Sequence, residues 1–356
     1  MFESVPPAGY GGTERVVSYL TEALVELGHQ VTLFASGDSR SKARIVPVVE
    51  RHLGLQACGS SAGLAAHTLL MERLADEAEY FDVVHFHTDV IHLPFAQNCA
   101  AASLSTLHGR LDLPQLEPLY RHFGEHPLVA ISDSQRAQLP DANWCATVYH
   151  GLPKSIYAFR PDTQDHFLFL GRICPEKRLD RAIDIAVRSG TPLVIAASVN
   201  PADQEYFDSN IEPLLDHPLI QFIGEVGDDE MGALLGQARA LLMPIDWPEP
   251  FGLVMIEALA CGTPVIAYGH GSVPEIIQHG VTGLVVQDQD QALAAAQEVG
   301  RLDRSRCRHA FEQRFTATTM ALAYLSVYRE LIGRRQRLEA PAVTNGAGHV
   351  GEDPRW

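Results

Sequence analysis

The 356-residue chain lacks the marks by which several protein classes are recognised. Its six cysteines (Cys58, Cys99, Cys145, Cys174, Cys261 and Cys307) include no CxxC pair, so spacing supports neither a zinc knuckle nor a disulfide framework. Reduced, mostly buried thiols in a cytoplasmic protein are the expectation. No run of about 18 uncharged apolar residues is present, so no transmembrane segment is expected. The opening MFESVPPAGYGG lacks the basic start and apolar stretch of a signal peptide. Positive charge is scarce as well: 27 Lys and Arg face 44 Asp and Glu, a formal net charge of -17. Duplexes and anionic membranes reward clustered cations, so nucleic acid is not an expected partner and stable membrane binding is not expected. GxxxxGK[ST], HExxH and GxGxxG are all missing, which leaves P-loop, zinc-peptidase and dehydrogenase readings without their signatures.

What the chain does have is alternation. Residues 13–28 carry Val16, Val17, Leu20, Leu24 and Leu27 at helical spacing, stopped by Gly28. Strand-length apolar runs follow at 31–36, 44–49, 82–87, 103–108 and 127–132. A second series occupies 166–172, 192–198, 219–224, 238–244, 263–268 and 283–287. Short apolar strands separated by helical stretches predict an α/β protein with two Rossmann-like, doubly wound domains facing a cleft. Pro and Gly interrupt the pattern at 149–165. The expected organisation is therefore an N-terminal domain over 1–150, a C-terminal domain over 151–314 and a closing helix over 315–332. A flexible tail is expected over 333–356.

Four segments carry candidate chemistry. In EPFGLVMIEALACGTPVIA, Glu249 precedes a predicted helix beginning near Phe251 or Gly252, and Glu257 lies more than a turn inside it. Free N–H groups at a helix start favour an anion, and glycine allows close approach of a ligand. Two acids beside such a site fit a ligand with hydroxyls as well as phosphates. In GRICPEK, Arg172 ends a strand and Lys177 opens the next predicted helix, so both cations can meet a diphosphate at the sheet's carboxyl edge. The Gly pair in GYGGTERVV precedes a helix and suits either a phosphate cradle or an ordinary turn. His85, His87 and His108 stand at strand ends; no third ligand accompanies HFHTD, so no metal site is expected. His108, followed by Gly109, is the preferred candidate for the cleft.

Together these segments resemble retaining glycosyltransferases of family 4, the glycosyl transferases group 1 type with the GT-B fold. The likeness spans about residues 2–332. It implies a nucleotide diphosphate sugar donor held mainly by the C-terminal domain, an unidentified acceptor, and no metal or cofactor requirement. It further implies that Arg172 and Lys177 hold the diphosphate, Glu249 the transferred sugar and Glu257 the ribose. Phe251, Gly252 and Leu253 would touch sugar and phosphates through their backbone, with Gly12 facing the phosphates and His108 in the active site. The family's first strand has no counterpart, because FESVPP with two prolines cannot be a central strand. A nucleotide-sugar epimerase and a non-catalytic nucleotide-sugar-binding protein are the alternative readings.

Overall fold

The computed structural model describes residues 2–7, 9, 11–54 and 57–339. The N-terminal lobe contains two parallel sheets: β1 (Thr32–Ser36) with β2 (Arg44–Val49), and β3 (Val83–Phe86), β4 (Ala102–Thr106), β5 (Leu128–Ala130) and β6 (Trp144–Thr147) in that order. Helices α1 (Gly12–Glu26) and α2 (Ser61–Glu77) flank them. The described residues ahead of α1 form no strand. No ladder joins β1 to β3, which leaves a break between the two sheets. Side chains span it instead: Phe34 and Phe81 meet edge to face, 6.0 Å between centroids.

The C-terminal lobe is one all-parallel sheet of β7 (Phe167–Arg172), β8 (Leu193–Ser198), β9 (Ile220–Gly224), β10 (Ala240–Met243), β11 (Val265–Tyr268) and β12 (Gly283–Val286), ordered β12-β11-β10-β7-β8-β9. Side-chain alternation divides its apolar residues between two cores. Phe167, Phe169 and Leu242 pack on one face beneath α3 (Leu179–Ser189) and α6 (Gln289–Glu298). Leu168 and Leu241 pack on the other with α4 (Asp228–Gln237), α5 (Leu253–Cys261) and α7 (Arg304–Arg314). Burial on both faces accounts for strands that read as continuous apolar runs rather than alternating ones.

The last helix, α8 (Ala317–Glu339), returns to the N-terminal lobe. Its Tyr324 hydroxyl lies 2.8 Å from Thr106 Oγ1, and its Tyr328 hydroxyl 2.8 Å from His85 Nδ1. The expected end of this helix at 332 is corrected: good helix formers in GRRQRLE carry it to Glu339 although the apolar pattern has faded. The rest of the expected tail, 340–356, lies outside the described residues. The two lobe crossings run side by side. Leu152 N–H donates to Phe315 O at 2.9 Å and Ala317 N–H to Leu152 O at 2.7 Å. Among the described residues, no helix is long and apolar enough to cross a membrane.

Candidate active site

The strand order of the C-terminal sheet reverses between β7 and β10, so the segments leaving their carboxyl ends diverge and leave a crevice, the usual seat of ligands in such sheets. Both segments belong to the motifs singled out in the sequence. β7 ends at Arg172; the chain then makes a 3-10 turn, Pro175–Lys177, and passes through Arg178 in the left-handed region (φ 52°) before α3 begins at Leu179. The expectation that Lys177 opens the helix is therefore corrected: Lys177 closes the tight turn ahead of it. The Arg178 guanidinium bonds Asp180 and Asp246, which pins this turn to the loop after β10.

That second loop holds Glu249. Gly252 caps α5 with φ 76°, where a Cβ would stand 2.9 Å from Met255 Cε and 3.0 Å from Met243 Cε, so the position requires glycine. Gly271 presses on the loop from outside: a Cβ there would lie 2.3 Å from both the N and O of Glu249. Ser272 completes the clamp, its N–H donating to Glu249 O at 3.0 Å and its hydroxyl to Phe251 O at 2.8 Å. So held, Glu249 accepts from the Lys177 ammonium and from Trp247 Nε1–H (3.1 Å), both on Oε2.

Arg172 does not join this pair. It is exposed, with Nε 3.5 Å from Asp203 Oδ2 and Nη2 3.7 Å from Cys174 Sγ. Glu257 is placed differently again. It is fully buried in α5, its Oε1 2.8 Å from Nη1 of the equally buried Arg15 of α1. Arg15 also donates to the Tyr157 hydroxyl (3.1 Å) and the Tyr19 hydroxyl (3.2 Å). Burial by itself would lower the Arg15 pKa, but the Glu257 carboxylate together with the Tyr19 and Tyr157 hydroxyls outweighs it and raises the value. Glu257 also lines a pocket at the ends of β7 and β8, with Gly171, Ala197, Ser198, Glu225 and Val226. The four predicted charges thus make three separate sets of contacts.

The N-terminal lobe faces this crevice with the start of α1 and the end of β4. A Cβ on Gly12 would meet Leu253 Cδ1 at 3.7 Å, an ordinary contact, so the beginnings of α1 and α5 abut. His108 Nε2 lies 2.8 Å from His87 Nδ1, and its ring stacks on His150 at 5.3 Å, which in turn meets Phe251 at 4.7 Å. His108 Nδ1 is buried without a protein partner among the described residues. Burial lowers the pKa of His108 to about 4 and of His85 to about 3, and it holds His87 and His150 well below the ordinary value. These imidazoles are neutral at pH 7, and act as hydrogen-bonding groups.

Three contributors escaped the sequence reading. Arg15 stands inside GYGGTERVV, where only the glycines drew attention; an arginine on the apolar face of an amphipathic helix was the available signal. Trp247, beside Glu249, carried the cue of an aromatic in a Pro-flanked loop. The Gly271–Ser272 clamp lies beyond a strand and gave no local sign.

Comparison with known proteins agrees with this architecture. The model of Glycosyltransferase Family 4 matches residues 10–151, and that of Glycosyl transferases group 1 matches residues 158–310. The chain is 28% identical over 395 residues to glycogen synthase of Mycobacterium tuberculosis (strain ATCC 25618 / H37Rv), covering 93% of this chain and 94% of that one. It is 25% identical to N-acetyl-alpha-D-glucosaminyl L-malate synthase of Bacillus anthracis, covering 93% and 96%. Among solved structures, AviGT4, a glycosyltransferase involved in avilamycin A biosynthesis, superposes with a TM-score of 0.72 at 26% identity, covering 93% of each chain. The fold is the two-lobed GT-B arrangement of glycosyltransferases. The two family models match in tandem, glycosyltransferase family 4 on the N-terminal lobe and glycosyl transferases group 1 on the C-terminal lobe, and the chain is a glycosyltransferase.

Proposed function

We propose that the chain transfers a sugar from a nucleoside diphosphate donor to an acceptor hydroxyl with retention of anomeric configuration and without a metal ion. The observation that carries this reading is the Lys177–Glu249 pair beside the glycine-capped start of α5, at the point where the C-terminal strand order reverses. The nucleoside would occupy the pocket at the ends of β7 and β8, its ribose hydroxyls bonding Glu257. The diphosphate would meet Lys177, the N–H groups at Leu253 and, once it swings from Asp203, Arg172. The transferred sugar would lie between Glu249 and His108, whose buried Nδ1 suits a sugar hydroxyl.

In the proposed step the bond between the anomeric carbon and the diphosphate oxygen breaks while the acceptor oxygen bonds that carbon on the same face. The acceptor proton passes to the departing phosphate oxygen. Fixed cations and aligned N–H groups stabilise the developing charge, so no dedicated protein base is needed. Closure of the lobes would limit hydrolysis of the donor.

The test is a thermal-shift screen of nucleotide sugars, followed by turnover with and without EDTA and proton NMR of the product. An acceptor-linked product with the donor's anomeric configuration, unaffected by EDTA, supports the reading. An inverted product overturns retention, loss of activity in EDTA overturns metal independence, and an isomerised donor with no nucleoside diphosphate released overturns transfer.

A further inference from the structure

We infer that Trp247 is a positioning residue for Glu249, its indole N–H fixing which carboxylate oxygen is turned to the donor sugar. The inference rests on the reading of Glu249 given above. Both protein bonds to the Glu249 carboxylate fall on Oε2, one from Lys177 and one from Trp247 Nε1–H at 3.1 Å, which leaves Oε1 without a protein partner among the described residues. The two donors are unequal. An ammonium on a four-carbon stem attracts a carboxylate from many directions, whereas an indole N–H is a single donor fixed to a rigid ring.

The ring is itself held. Glu249 N–H donates to Trp247 O at 2.9 Å, a tight turn that sets the ring beside the carboxylate two residues on. Lys177 Nζ lies 5.4 Å from the ring centroid, and the Arg110 guanidinium, from the opposite lobe, 5.9 Å. Arg110 is braced by Asp112 through bonds of 2.7 and 2.8 Å. Cations at these distances favour an aromatic face. The orientation of Glu249 is thus tied to a contact that exists only when the lobes face each other as they do here.

The experiment uses the full chain and the nucleotide sugar identified by the screen. Trp247→Phe keeps a ring for the two cations and removes the N–H. The expected result is a fall in kcat of about 10-fold, since a hydrogen bond to a charged group is lost, with donor KM and the melting temperature little changed. Hydrolysis of the donor without acceptor should fall by the same factor, because the effect acts on the donor sugar. Trp247→His, which restores a ring N–H, should recover part of the loss and remains informative if either variant is less stable. Wild-type kcat in Trp247→Phe overturns the inference. So does a defect confined to acceptor KM, which would make the ring an acceptor platform. A wild-type chain that turns over no nucleotide sugar overturns the reading of the site itself, a result distinct from either.

Discussion

Glu249 and Glu257 stand in contrasting electrostatic settings, and their variants should behave differently. The Lys177–Glu249 pair keeps some solvent contact, so its loss should damage chemistry more than stability. Glu249→Ala and Lys177→Ala are each expected to lower kcat about 10²- to 10³-fold, with thermal midpoints near wild type. The Arg15–Glu257 pair is buried. Arg15→Met would strand a buried carboxylate and should cost about 3–5 kcal/mol in urea denaturation. Replacing Glu257 with Leu in the same protein should restore much of that, because an apolar pair avoids desolvation of an unpaired charge. Glu249, Lys177 and Glu257 were legible as candidates because each stands in a dense motif. The Arg15 partner was not, since local periodicity contains no information on which distant acid meets a buried guanidinium.

Strands with apolar runs between turn residues were read within a residue or two of their bounds, as at Arg44–Val49 and Phe167–Arg172. β6 escaped because Trp144–Thr147 is half-buried throughout and closes the edge of its sheet, so it needs no apolar run. The 3-10 turn that Lys177 closes escaped for another reason: a left-handed Arg178 is imposed by its bonds to Asp180 and Asp246, not by its own preference. The lobe crossings offer a prediction about elements. A Cβ at Gly151 would lie 2.2 Å from Thr316 O. Gly151→Ala should push the two crossing segments apart and lower the melting temperature by several degrees, on the order of 1–3 kcal/mol as for other overpacked sites. Differential scanning calorimetry would show it.

The molecule as a whole should be sensitive to acid. His85, His92, His108 and His126 have pKa values lowered to about 3, 3, 4 and 4, chiefly by burial, and His87 and His150 are also held well below the ordinary value by burial. A group whose folded pKa is depressed stabilises the fold fully above its unfolded value, near 6.5 for histidine. That stability is lost as the pH falls toward the folded value, because the unfolded chain binds the proton first. Each imidazole contributes a slope of at most about 1.4 kcal/mol per pH unit. Urea unfolding at pH 7 and pH 5 should show a marked loss of stability at the lower pH, and His92→Asn should reduce the difference. Equal stabilities would mean that these rings do not stay neutral in the folded protein.

The adjacent crossings at Leu152 and Thr316 also restrict how the lobes can travel. Two strands of backbone passing through one spot act as a pivot: sliding would stretch both, whereas rotation about their common axis strains neither. The mouth of the crevice, remote from that axis, sweeps the widest arc. Rotation about that axis would open and close the mouth of the crevice while the crossing segments themselves barely stir.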